Sequence, residues 1–186
     1  MGQNIIIDLD ETLLHTFVDR RKFDAFTPKY GEIKYDYGNI YGVLRPNVQS
    51  FLAWCSGNYE NIAIWSAGKK EYVNLIVGML FRGRKPTFVW CWDDCDSYTN
   101  EYGLNIYHKP LEFVYDLNPG FNPKNTVFID DALHSELCNA GNMIVIPPYN
   151  PEELDQKPDS SLVGLKKILK ALKKSQDIRL TEKKLI

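Results

Sequence analysis

Six runs rich in apolar and β-branched residues recur along the chain, each bounded by turn-forming residues: NIIIDLD, NIYGVLRP, NIAIWSAG, PTFVWCW, NTVFIDD and NMIVIPP. Several are too uniformly apolar for a sheet with one wet face, where apolar and polar residues alternate. They read as strands buried on both sides, the condition of a parallel sheet. Between them lie helix-period patterns, NVQSFLAWCS, KKEYVNLIVGML, HKPLEFVYDL and DALHSELCNA. The alternation predicts right-handed βαβ crossovers and an α/β fold, a central parallel sheet flanked by helices. At 186 residues the chain can bury one sizeable core. We expect one domain over residues 1–175 and a basic tail over 176–186.

Two segments, 16–38 and 92–107, break this pattern: they are rich in Tyr, Phe and Asp and lack clean periodicity. They read as small cap-like β or loop insertions. In open α/β sheets the ligand lies outside the carboxyl ends of the strands, so excursions leaving there cover a site. Tyr30, Tyr35, Tyr37, Tyr98 and Tyr102 in these segments offer either a groove for an extended peptide or local packing.

The net charge of −2 conceals an asymmetry. Residues 160–186 carry eight Lys/Arg and two Asp/Glu, a surplus of +6, which leaves −8 on the rest. A body this acidic is a poor non-specific partner for nucleic acid, whose phosphates are bound chiefly by Lys and Arg. Within the basic region, SSLVGLKKILKALKK places Leu162, Leu165, Ile168, Leu169 and Leu172 on one helical face, with Ser160 or Ser161 as N-cap. That helix is expected to close the core and show its lysines to water. No stretch approaches the roughly 20 apolar residues of a membrane span, and no signal peptide is expected. Gly2 is followed by Ile6 where a myristoylation signal has Ser or Thr. Cys55, Cys91, Cys95 and Cys138 are scattered and suit a reducing compartment; Cys91 and Cys95 read as ordinary thiols rather than half of a zinc site. An intracellular soluble protein, nuclear or cytoplasmic, is the expectation.

The apolar run before Asp8 should end at the carboxyl edge of its strand. Side chains alternate there, so Asp8 and Asp10 share a face while Leu9 turns inward. Asp130 and Asp131 again end a buried strand and precede a helix. If both strands are central and parallel, four carboxylates meet at one rim. Their repulsion calls for a cation, and oxygen donors without a local His or Cys cluster favour magnesium. Helix N-capping would account for one acidic pair, hardly both. Ser66, followed by Ala67 and Gly68, and Lys109, before a proline-initiated helix, are placed to meet phosphate oxygens.

DLDETLLHT resembles the Asp-x-Asp-x-Thr signature of the haloacid dehalogenase (HAD) superfamily, specifically its FCP/SCP branch of RNA polymerase II C-terminal-domain (CTD) phosphatases, which includes the NLI-interacting-factor-like proteins. VLRPNVQSFL, IAIWSAG, HKPLEFVYDL and TVFIDD follow in the order that branch shows, and the likeness covers residues 4–149. IWSA, KPL and NTVFIDD are similar to motifs of the ubiquitin-like-domain-containing members. The resemblance implies a HAD-like, Rossmannoid fold and a serine/threonine phosphatase. Asp8 would be the nucleophile that forms an aspartyl-phosphate, and Asp10 the acid and base. Thr12 would brace the loop, and Ser66, Ala67, Thr12 and Lys109 would serve the phosphate. Mg2+ would be bound by Asp8, Asp131, the Asp10 carbonyl and Asp130. Many members carry an Arg where this chain has Trp92, and Arg45 is expected to support the fold. The implied substrate is a phosphoprotein, first the polymerase II tail, with no direct nucleic-acid contact and no membrane. A phosphatase for small molecules or nucleic-acid ends, or a catalytically inactive binding relative, remain the alternatives. The compactness suits a viral or minimal eukaryotic enzyme.

Overall fold

The computed structural model describes residues 2–132, 139–153 and 157–183; most of the expected helix DALHSELCNA, and Cys138, lie outside them. In chain order the elements are β1 (Asn4–Ile7), β2 (Leu14–Thr16), α1 (Arg20–Ala25), β3 (Ile33–Asp36), β4 (Tyr41–Leu44), α2 (Val48–Ser56), β5 (Asn61–Trp65), α3 (Lys70–Phe81), β6 (Val89–Trp90), β7 (Asp96–Thr99), β8 (Asn105–His108), α4 (Leu111–Leu117), β9 (Thr126–Asp130), β10 (Met143–Val145) and α5 (Ser161–Leu172).

Five strands form a parallel sheet in the order β10-β9-β1-β5-β6, with β1 in the middle. Ile5 lies between Ile62 and Val127, and Ile7 between Ile64 and Ile129. Alternation divides the strand between two cores. Ile5 and Ile7 pack with α2, α3 and α5 on one face, whereas Ile6 packs with Ala63, Trp65, Phe128 and α4 on the other. All three isoleucines are fully enclosed, each worth about 1.5–3 kcal/mol of burial. This two-sided covering is what a continuously apolar strand requires.

The run NIYGVLRP departs from expectation. Its strand, β4, belongs to a separate antiparallel sheet, β2-β4-β3, built around the first insertion. Leu44 joins the main core, while Val43 joins a small aromatic cluster with Phe17, Phe23 and Tyr149. Both faces are therefore apolar without the strand lying in the central sheet. PTFVWCW contributes only Val89 and Trp90, as an edge strand beside β5. The second insertion forms the antiparallel hairpin β7-β8.

Helix α5 closes the core through Leu162, Leu165, Leu169 and Leu172, with Ile168 packed against it. Ser160 stands at the N-cap as expected, but its side chain makes no capping bond; Asp159 accepts the Ser161 N–H at 3.1 Å and its hydroxyl at 3.2 Å. Beyond α5 the segment expected as a tail is packed at Ile178, which is buried and whose N–H donates to the Lys124 carbonyl at 3.0 Å. No described helix is long and apolar enough to cross a membrane.

Candidate active site

The site begins where β1 stops. The Asp8 N–H donates to the Ile129 carbonyl at 2.9 Å, carrying the ladder one residue past the strand, and Leu9 is buried in the main core. The chain then turns sharply, with the Leu13 N–H reaching the Leu9 carbonyl at 2.8 Å. Glu11 sits at φ 55°, a left-handed conformation that side chains with a Cβ disfavour. Its carbonyl accepts from the Tyr149 N–H at 2.7 Å and from Arg45 at 3.2 Å. Arg45, enclosed in the core, also donates to the carbonyls of Thr12 at 3.0 Å and Pro147 at 2.8 Å, and pairs bidentately with Asp159 at 3.0 and 2.9 Å. The turn behind the carboxylates is thus fastened from outside the site.

Strands β1 and β9 are neighbours in the sheet, so their ends bring the two acidic pairs together. Oxygens of Asp8, Asp130 and Asp131 lie within 4.8 Å of one another. Buried Lys109, delivered by the segment between β8 and α4, donates to Asp8 Oδ1 at 2.5 Å and to Asp130 Oδ2 at 2.9 Å. Asn139 holds that segment: it accepts the Leu111 N–H and donates to the Lys109 carbonyl, each at 2.9 Å. The sequence reading missed Asn139, which sits in a stretch with no motif of its own. Asp130 Oδ1 accepts the Ala132 N–H at 2.9 Å; the helix whose capping was considered for it lies outside the described residues. Thr12 is buried and its hydroxyl donates to Asp131 at 3.5 Å; it braces the loop against the second acidic pair.

Asp8, Asp10, Ser66, Ala67, Lys109, Asp130 and Asp131 all line one cavity of about 330 Å³, together with Glu11, Gly68, Tyr107 and Ala132. Ser66 follows β5; its Oγ accepts the Gly68 N–H at 3.0 Å, just ahead of α3. Burial, helped by Asp130 and Asp10, holds the Asp8 carboxyl well above the usual carboxylate range, against the pull of Lys109. Burial and Asp130 push Asp131 up to about 6. Burial opposes the Lys109 ammonium, but Asp8 and Asp130 outweigh it and hold its pKa above the ordinary lysine value. Five acidic side chains, Asp8, Asp10, Glu11, Asp130 and Asp131, line the cavity against one ammonium, and their donors are all hard oxygens. That set fits a magnesium ion.

The Asp10 carboxylate stands apart from the three-oxygen cluster. Its Oδ1 accepts from the Tyr72 hydroxyl, and the Thr16 hydroxyl oxygen lies 3.5 Å from the same atom. Burial raises its pKa and the Tyr72 bond opposes the rise. A carboxyl whose pKa is raised by burial is suited to give a proton. The sequence reading named neither Tyr72 nor Thr16, since an aromatic on an amphipathic helix looks like core.

The five tyrosines proposed as a groove are dispersed. Tyr35 is buried beneath the site, Tyr98 stacks on His108, Tyr30 lines another cavity, and Tyr37 and Tyr102 are exposed. The aromatic residue at the crevice is Tyr107, with Trp92 6.3 Å away ring to ring and Lys69 5.4 Å from the Trp92 ring. A positive charge therefore stands at this wall although residue 92 is not Arg. In a larger cavity of about 420 Å³ beneath the first insertion, Lys22 pairs with Glu152 at 3.3 Å and Glu32 accepts two backbone N–H groups. Cys91 and Cys95 belong to no metal-ligating cluster among the described residues.

The carboxyl edge of a parallel α/β sheet thus gathers clustered aspartates, a buried lysine and a serine before a helix. The chain belongs to the NLI interacting factor-like phosphatase family, whose model matches residues 3–179. It is 24% identical over 183 residues to the CTD phosphatase-like protein 355R of Invertebrate iridescent virus 3, covering 91% of this chain and 96% of that one. It is 26% identical over 177 residues to CTD small phosphatase-like protein 3 of Caenorhabditis elegans, covering 90% and 53%. Ubiquitin-like domain-containing CTD phosphatase 1 of Rattus norvegicus is 27% identical over 141 residues, covering 73% and 44%. The solved structure of Fcp1, an essential RNA polymerase II CTD phosphatase, shares the fold with a TM-score of 0.59 at 21% identity, covering 92% of this chain and 49% of Fcp1. The chain thus matches the viral relative nearly end to end and about half the length of the others.

Proposed function

We propose that the chain is a magnesium-dependent protein serine/threonine phosphatase that works through an aspartyl-phosphate on the polymerase II tail or a similar phosphopeptide. The observation that carries this reading is the convergence of Asp8, Asp10, Ser66, Lys109, Asp130 and Asp131 on one cavity. The names of the viral, nematode and rat relatives support the substrate class. Residues 1–175 act as one catalytic domain in this reading.

An Asp8 oxygen attacks phosphorus, the bond from phosphorus to the ester oxygen breaks, and Asp10 gives its proton to the leaving oxygen. A water then attacks phosphorus and yields a proton to the Asp10 carboxylate; the bond to Asp8 breaks and inorganic phosphate departs. Ser66, held by the Gly68 N–H, and the N–H of Ala67 hold phosphoryl oxygens ahead of α3. Lys109 lets anionic Asp8 approach an anionic substrate. Magnesium would be held by Asp8, Asp131, Asp130 and the Asp10 carbonyl; when bound, it supplies further positive charge against the phosphate.

Phosphate release from phosphoserine and phosphothreonine tail peptides, with magnesium, tests the assignment. Asp8→Asn and Asp10→Asn are expected to lose turnover. Undiminished turnover in both refutes it.

A further inference from the structure

The antiparallel sheet of the first insertion brings three residues side by side: Thr16 lies opposite Gly42 on one flank and Tyr35 opposite Gly42 on the other. Because Gly42 carries no side chain, the Thr16 and Tyr35 hydroxyls meet across it at 2.9 Å. A Cβ on Gly42 would fall 2.5 Å from the Tyr35 hydroxyl oxygen and 2.2 Å from the His15 carbonyl oxygen. From α3, the Tyr72 hydroxyl reaches the same Thr16 hydroxyl at 2.9 Å and donates to Asp10 Oδ1.

Each hydroxyl has one proton to give. The order Tyr35 to Thr16, Thr16 to Tyr72, Tyr72 to Asp10 satisfies every donor and ends on the carboxylate. Burial holds both phenols above the ordinary tyrosine range, so they remain protonated donors. The contacts on Asp10 all fall on Oδ1, and no described group hydrogen-bonds Oδ2. Asp10 meanwhile lines the cavity that holds Asp8.

We propose that Tyr72, Thr16 and Tyr35 form a chain of positioning hydroxyls that pins Asp10 by Oδ1 and leaves Oδ2 facing the leaving oxygen of the substrate. The insertion sheet then serves the acid step rather than acting only as a cover. The inference rests on the phosphatase reading above. Tyr72, Thr16 and Tyr35 touch Asp10 or one another, so their effect is confined to the step in which Asp10 moves a proton.

That step separates substrates. When the ester bond to a serine oxygen breaks, the alkoxide must take the Asp10 proton; a 4-nitrophenolate leaves without one. The experiment measures single-turnover phosphorylation of Asp8, with magnesium, from a phosphoserine peptide and from 4-nitrophenyl phosphate. General acid catalysis is worth about 10²–10⁴-fold. Misplacing the acid in Tyr72→Phe is expected to slow transfer from the peptide by about 10-fold or more. Transfer from the aryl ester should change by less than about 3-fold. Thr16→Val should show the same split, and Thr16→Ser, which keeps the hydroxyl, should restore the peptide rate.

Equal slowing on both esters, or none on either, overturns the proposal. Should Tyr72→Phe fail to fold, Tyr35→Phe, at the far end of the hydroxyl chain, carries the same comparison. If Asp10→Asn shows the split and Tyr72→Phe does not, the positioning role alone falls. If the wild type transfers no phosphate to Asp8 from either ester, the phosphatase reading falls and takes this inference with it.

Discussion

Replacing Arg45 by methionine tests how the turn behind Asp8 and Asp10 is held. The change keeps an apolar stem but removes five hydrogen bonds, two to the Asp159 carboxylate and three to the carbonyls of Glu11, Thr12 and Pro147. The arginine side chain is 0% exposed and that of Asp159 10%, so water cannot readily replace what is lost. Removing one partner of a buried ion pair costs about 3–5 kcal/mol, because the remaining charge stays desolvated. Against a typical stability of about 5–15 kcal/mol, that is at least about a fifth of the total. Urea unfolding followed by circular dichroism should show Arg45→Met less stable by about 4 kcal/mol at unchanged m-value. Asp159→Leu should cost a similar amount, including about 1 kcal/mol for the lost cap of α5. In the double variant no charge is stranded, so its cost should fall below the sum by about 2 kcal/mol or more. The turn at Glu11 should also relax, and turnover should fall with stability. A cost under about 1 kcal/mol for Arg45→Met, or strict additivity in the cycle, would refute this account.

Other outcomes follow from the same geometry. The raised pKa of Asp131, about 6 in the folded chain against about 3.9 unfolded, means that its proton stabilises the metal-free fold. That contribution is complete below about pH 4 and is lost as pH rises through about 6, so the melting temperature of metal-free wild type relative to Asp131→Asn should fall across this window; a rise would contradict it. Added magnesium should flatten the slope by favouring the carboxylate. Lys109→Met strands Asp8 and Asp130 and removes a cation from the phosphate site, and phosphopeptide turnover should drop about 10²–10³-fold. A loss under about 10-fold would count against its role. Gly42→Ala forces apart backbone and side-chain atoms already in contact and should cost about 1–3 kcal/mol in urea unfolding. No loss would mean the sheet yields freely at that position.

The parts of the fold legible in the sequence are those where one local signal has one structural cause. NIIIDLD and NTVFIDD are apolar on both faces because helices cover both faces of the central sheet, and their terminal aspartates mark where the strands stop. NIYGVLRP carries the same signal from a different cause, a main core on one side and an aromatic cluster on the other, and the two cannot be told apart without the fold. Within the site, Asp8, Asp10, Ser66, Lys109, Asp130 and Asp131 stand out as polar residues at the ends of apolar runs. Tyr72 and Asn139 do not. Tyr72 meets Asp10 across 62 positions of sequence, and Asn139 holds the Lys109 carbonyl from 30 positions away. Side-chain bonds between remote residues leave no periodic trace.

The middle place of β1 has a consequence for how the protein comes into being. The strand that is made early pairs with β5 on one side and must wait for residues 126–129 before its other edge is filled. During synthesis, Asp8 and Asp10 therefore emerge long before Lys109, Asp130 and Asp131 exist to meet them. A ribosome-bound fragment ending short of β9 would carry Asp8 on a half-open edge without Asp130 and Asp131 beside it, so the acidic cluster is completed late.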